Sequence, residues 1–193
     1  MKKENKLIGS DYLLLLLYLN NCSPINSAVK LTKMMFLFNK EISPLLRKKG
    51  ANIENLPDFT PYNYGPFSKD VYEQIELFQS ISFIKVKDLH NTEEMAEVDD
   101  WEESEFIDEL VEDQEQYRRT SDGKLMQYSL LKKGKEYVES EILPLLTQEQ
   151  IHILQQFKTQ ITKTSIKAIL RYVYTKYPEM TKNSLIKDEV LGN

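Results

Sequence analysis

Fifteen of the 30 Asp and Glu residues lie between Asp88 and Asp122, where Arg118 and Arg119 are the only opposing cations. That segment therefore carries a net charge of −13, while residues 1–87 and 123–193 carry +4 each. Like-charge repulsion raises the free energy of any compact state built from such a stretch unless basic groups neutralise it. The chain is thus a mildly basic body interrupted by an acidic insertion. Such an insertion repels polyphosphate and invites a basic partner, or the body's own basic face.

The remaining composition is that of an ordinary soluble chain. A length of 193 residues suffices for one domain with an elaboration, and 41% hydrophobic content supports a real core. One cysteine, Cys22, cannot close an internal disulfide, which fits a reducing cytoplasm. The apolar run Tyr12–Leu19 is far shorter than the ~20 residues a membrane span needs. No small-x-small cleavage site follows it, so it reads as a buried helix.

Periodicity and capping signals set the element order. Ser10 is a candidate cap for a first helix over 11–19, apolar nearly all round. Asn26 or Ser27 caps a second, with Ala28, Leu31, Met34, Met35, Phe38 and Ile42 on one face and Lys30, Lys33 and Lys40 toward the other. Pro44 ends or kinks it, and residues 47–58 have loop character. Phe59 to Phe67 is an extended aromatic stretch, because Pro61 and Pro66 hold the preceding residues out of the α region. Ser68 caps a third helix, with Asp70 in its first turn and Phe67 and Tyr72 at the spacing of a hydrophobic staple.

Residues 81–87 and 124–131 alternate as strands around the acidic insertion. Three helices follow: one over 132–143, one opened by the Thr147-x-x-Gln150 capping box, and one over 165–177 ending at Pro178. The expected fold is mainly α. A winged-helix-like domain over 1–131 has three helices and a two-stranded wing that carries the acidic insertion 88–122. A helical C-terminal extension over 132–193 packs on the same core.

Three segments resemble a known bacterial and phage family. They are Ile25–Leu37, with its basic-Leu-polar-Lys-apolar helix pattern; Tyr64-Gly65-Pro66-Phe67-Ser68, leading into a helix; and Leu170–Ser184, with Val173-Tyr174-Thr175-Lys176-Tyr177-Pro178. In this order they resemble the SocA-like, or Panacea, antitoxin-domain group, over about a quarter of the chain. The resemblance implies a winged-helix-like helical domain without catalytic machinery that binds proteins, notably to neutralise a toxin. The chain departs from that pattern at Thr32, where the group usually has Gln, and in the size of its acidic insertion.

Catalytic signatures are sparse. There is no Gly-rich phosphate loop, nucleophile elbow or His-Glu-x-x-His. His90 and His152, the two histidines, lack zinc-type neighbours, and the acidic run lacks the spacing of an EF-hand loop. Cys22 has no basic residue beside it in sequence and reads as core filler. No cofactor or metal is expected. The Phe59–Phe67 aromatics read first as core and second as a base-stacking platform.

Within the insertion, Trp101, Phe106 and Leu110 give an acidic helix over 101–116 an apolar edge. That edge either packs on the body or is offered to a basic groove. The expected function is a non-enzymatic, cytoplasmic protein-binding module, whose partner contacts are Trp101, Phe106, Leu110, Lys30 and Lys33. The partner would be a toxin or other basic protein, and a homo-oligomer remains open. The alternative is a winged-helix transcription regulator. It is disfavoured because the third helix and the wing position are both acidic, and phosphate contacts dominate DNA affinity.

Overall fold

The computed structural model of the chain describes residues 6–89 and 126–192. These form a mainly helical fold with small sheets. Strand β1 (Lys6–Ile8) leads into helix α1 (Gly9–Cys22), whose residues Tyr12 to Leu17 are all at most 1% exposed. A helix apolar on every side can be stable only when covered on every side, and α1 is the axis about which the rest packs. Ser10 is not its cap. The backbone is still extended at Ile8, because β1 pairs in parallel with β3 (Asn52–Glu54), and the Asp11 carboxylate accepts the Ile8 N–H at 2.9 Å. This pairing also places a strand where the sequence had suggested only loop.

Strand β2 (Ile25–Asn26) precedes helix α2 (Ala28–Leu37), whose cap is Ser27, with its hydroxyl accepting the Lys30 N–H. Pro44 does not end this helical run. A wide π-turn over Phe38–Ile42 carries the chain into α3 (Ser43–Lys48), with Pro44 in its first turn. The same device recurs a hundred residues on. Helix α5 (Lys132–Tyr137) passes through a π-turn at Val138–Ile142 into a 3₁₀ turn at Leu143–Leu145, with Pro144 in its first turn. Glu41-Ile42-Ser43-Pro44-Leu45-Leu46 and Glu141-Ile142-Leu143-Pro144-Leu145-Leu146 differ at one position, a short internal echo. Proline lacks an N–H and crowds the carbonyl four residues back, so a widened turn just ahead of it lets the run continue.

The aromatic stretch forms a hairpin of β4 (Thr60–Tyr62) and β5 (Gly65–Phe67), which feeds α4 (Lys69–Ser80). Val71, Ile75 and Phe78 are the buried stripe of α4. Strands β6 (Ile84–Asp88) and β7 (Met126–Leu130) pair antiparallel, from Ile84 opposite Leu130 to Asp88 opposite Met126. Strand β2 adds to the free side of β7, giving the order β2-β7-β6. Gly134 lets α5 lie close against the backbone just before β6, since a Cβ there would clash with the Phe83 carbonyl oxygen.

The C-terminal helices are α6 (Gln148–Lys163), capped by Thr147 and Gln150 reciprocally, α7 (Ile166–Lys176), capped by Ser165, and the short α8 (Lys187–Leu191). Leu154, Phe157, Ile161, Ile169, Val173 and Tyr174 join the same hydrophobic cluster as Leu13, Leu16 and Met34, so one core spans both ends of the chain.

Candidate interaction site

The turn between β4 and β5 gathers all three of the segments singled out by sequence. Gly65 sits at φ +80°, and a Cβ at that position would lie 2.9 Å from Cε1 of Tyr174. Only glycine meets both demands: left-handed backbone and ring contact. The Tyr174 hydroxyl is 2.7 Å from the Ser184 hydroxyl, and the Leu185 N–H donates to the Asn63 carbonyl at 2.9 Å, so the C-terminal segment also holds the turn. From α2, Lys33 Nζ donates to the Pro66 carbonyl at 2.8 Å. Ser68 then caps α4 by accepting the Val71 N–H, and the Phe67 and Tyr72 rings stack at 5.4 Å, the expected staple. Tyr62 lies against Phe67 at 5.2 Å, so these aromatics pack on one another.

The lysines of α2 are placed differently from the sequence expectation. Lys30 and Lys33 are only 5% and 4% exposed, so neither offers a basic face. The reason is packing: Lys30 to Phe38 is buried without a break, and an amphipathic pattern drawn on one helix cannot anticipate neighbours on both sides. Burial pushes the Lys33 ammonium down to about 7. The buried Thr32 hydroxyl donates to the Ala28 carbonyl at 2.8 Å and lies 3.3 Å from the Tyr72 hydroxyl. Other cations of this region are engaged as well. Arg47 donates to the Ile53 carbonyl at 3.1 Å, and Lys49 pairs with Glu149 at 2.6 Å. Trp101, Phe106 and Leu110, the other expected contacts, lie outside the described residues, as does His90.

Two polar clusters were not foreseen. Glu41, on the first π-turn, accepts from Tyr177 at 2.8 Å, Tyr172 at 2.9 Å and Lys176 at 3.0 Å. Burial alone would raise its carboxyl, but these donors outweigh it and hold it below the usual carboxylate range. The i,i+4 spacing of Tyr172 and Lys176, with Tyr177 just past the helix end, was the available signal.

The second cluster closes α1. Leu19 is extended, and Asn20, Asn21 and Cys22 follow at φ 56–58°. Lys158, fully buried, donates to the carbonyls of Leu19 and Ser23 at 2.7 Å each and of Leu17 at 3.4 Å. Burial lowers its ammonium to about 8, against an opposing influence from Cys22. Cys22 is therefore close to a basic group in space, though not in sequence. Beside this turn is an open cavity of about 530 Å³, lined in part by Tyr18, Asn20, Cys22, Lys132 and Lys135.

Helix α4 turns a different surface outward. Asp70, Glu73 and Glu76 are opposed on this helix by Lys69 alone, which pairs with Glu73 at 2.7 Å. Leu77 is 56% exposed and Ile81, one turn on, is 37% exposed. Among the described residues no three potential metal ligands come together, and no helix is long and apolar enough to cross a membrane. A scan against protein-family models finds no match to the chain, and a search of curated proteins finds no significant relative.

Proposed function

We propose that this chain is a non-enzymatic protein-binding module, an antitoxin-like neutraliser or adaptor acting in a bacterial or phage cytoplasm on a winged-helix-like core. The element order supports the core assignment. Helix α1, strand β2, helices α2 and α4, and strands β6 and β7 occur in the order of a winged helix, with α3 and β3 to β5 inserted between α2 and α4, and the short β2 joins the far side of the β6–β7 pair. The resemblance to the SocA-like, or Panacea, antitoxin-domain group gains support from geometry. Its three segments meet at one turn, with Lys33 on Pro66 and Tyr174 against Gly65.

The observation that carries the protein-binding reading is the surface of α4. In a DNA-binding winged helix, the helix ahead of the wing enters the major groove. Here that helix carries three carboxylates and one lysine, with Asp70 accepting the Asp58 N–H, Glu73 paired with Lys69 and Glu76 exposed, and the lysines of α2 are buried. Phosphate contacts supply most protein–DNA affinity, so such a surface opposes it. The acidic insertion adds repulsion of the same sign and would draw a basic protein. Trp101, Phe106 and Leu110 supply its apolar anchor.

The regulator reading rests on the same topology, and one experiment separates the two. Selection of a random duplex pool by the intact protein at ~150 mM salt is expected to enrich no sequence. Recovery of one operator bound at nanomolar affinity would replace the protein-binding reading with the regulator.

A further inference from the structure

We propose that the outward face of α4 is the docking site for a basic amphipathic helix of the partner protein, an inference that rests on the protein-binding reading. Val71, Ile75 and Phe78 fix α4 against the core at exposures of 0–7%, and Ser68 caps its first turn. Its outer residues therefore sit on a rigid platform that needs no ordering on binding. Leu77 and Ile81 lie one turn apart along one edge. Single exposed apolar residues are ordinary, but this pair is bordered by Glu73, Glu76 and Ser80 rather than scattered. At the rim stands Lys133, whose ammonium donates to the Ile81 carbonyl at 3.1 Å and lies 5.6 Å from the Phe83 ring.

Charge selects the occupant. A second copy placing the same face on this one would bring together two α4 helices of like net charge. Nucleic acid and anionic lipid are repelled for the same reason. A helix with Leu-like side chains at i and i+4 and Lys or Arg beside them matches both features, since i,i+4 pairs share one helix face with the spacing of Leu77 and Ile81. The carboxylates would speed encounter, and the apolar pair would slow release.

The test uses the full chain and an 18-residue Leu/Lys peptide whose leucines form one helical stripe, beside a peptide of the same composition with leucines dispersed. Amide shift mapping is expected to place the striped peptide on residues 73–81. Leu77→Gln with Ile81→Gln should weaken it at least about tenfold. Glu76→Lys should weaken it further and reduce its salt dependence. The proposal is overturned if the striped peptide does not bind, maps only to residues 93–115, or binds the double variant with unchanged affinity. The broader reading is judged separately. If a native protein complex survives in the double variant, protein binding stands and only the α4 site falls; if no such complex exists, both fall.

Discussion

At the scale of single residues, two lysines are held out of water. Lys33 falls from an ordinary 10.5 to about 7, and Lys158 to about 8, both by burial. A group whose folded value is depressed binds protons more readily when unfolded. The contribution of Lys33 to stability therefore rises with pH between about 7 and 10.5, as the charged-state penalty is relieved. Lys33→Met should flatten that rise by a few kcal/mol across the window, since each tenfold change in proton affinity is worth about 1.4 kcal/mol. Urea unfolding of both proteins at neutral and alkaline pH checks it, and parallel curves would contradict it. Gly65→Ala should cost about 2 kcal/mol, because it meets a left-handed backbone and the Tyr174 ring together. Ser68→Ala should cost about 1 kcal/mol through its lost cap. Tyr12 points the other way. Its hydroxyl is buried among core side chains with no hydrogen-bond partner among the described residues, so Tyr12→Phe should raise the unfolding midpoint, by about 1 kcal/mol of stability.

Among elements, Glu41 ties the first π-turn to α7 through Tyr172, Lys176 and Tyr177. Its carboxyl is held below its ordinary value, so this tie contributes fully above about 4.5 and is lost as pH falls through the lowered folded value. Glu41→Gln should cost about 1 kcal/mol at neutral pH, and acid titration of stability should bring variant and parent together. The elements that sequence reading located well are those with local chemistry. The Ser68 and Thr147–Gln150 caps, the Phe67–Tyr72 staple and the β6–β7 alternation depend on residues a few positions apart. What it misplaced depends on distant partners. Strand β3 exists because β1 pairs with it, and Lys33 is buried with its ammonium on the β4–β5 hairpin, at the Pro66 carbonyl. Lys158 finds its carbonyls 135 residues and more away, beyond the reach of any pattern on α6. The α4 face was legible as a list of carboxylates; the exposure of Leu77 and Ile81 needed the packing.

Taken whole, the molecule joins its N-terminal helices, sheet and C-terminal helices through a single hydrophobic cluster about α1. Removing 132–193 would expose Leu13, Leu16 and their neighbours, so a fragment ending at residue 131 should lack a cooperative thermal transition, whereas the intact chain should unfold in one. Helix α4 carries three carboxylates against one lysine, the sequence from Asp88 to Asp122 carries a net charge of −13, and the lysines of α2 are buried. Protein binding is the function we propose for this distribution of charge and apolar surface. Its most direct test is the native mass of the intact chain recovered from cells that express it, before and after nuclease treatment. The expected result is a complex heavier than the 22.7 kDa chain, unchanged by nuclease, whose second component is a basic protein. A complex that nuclease reduces to the bare chain, releasing DNA enriched in one sequence, would contradict it.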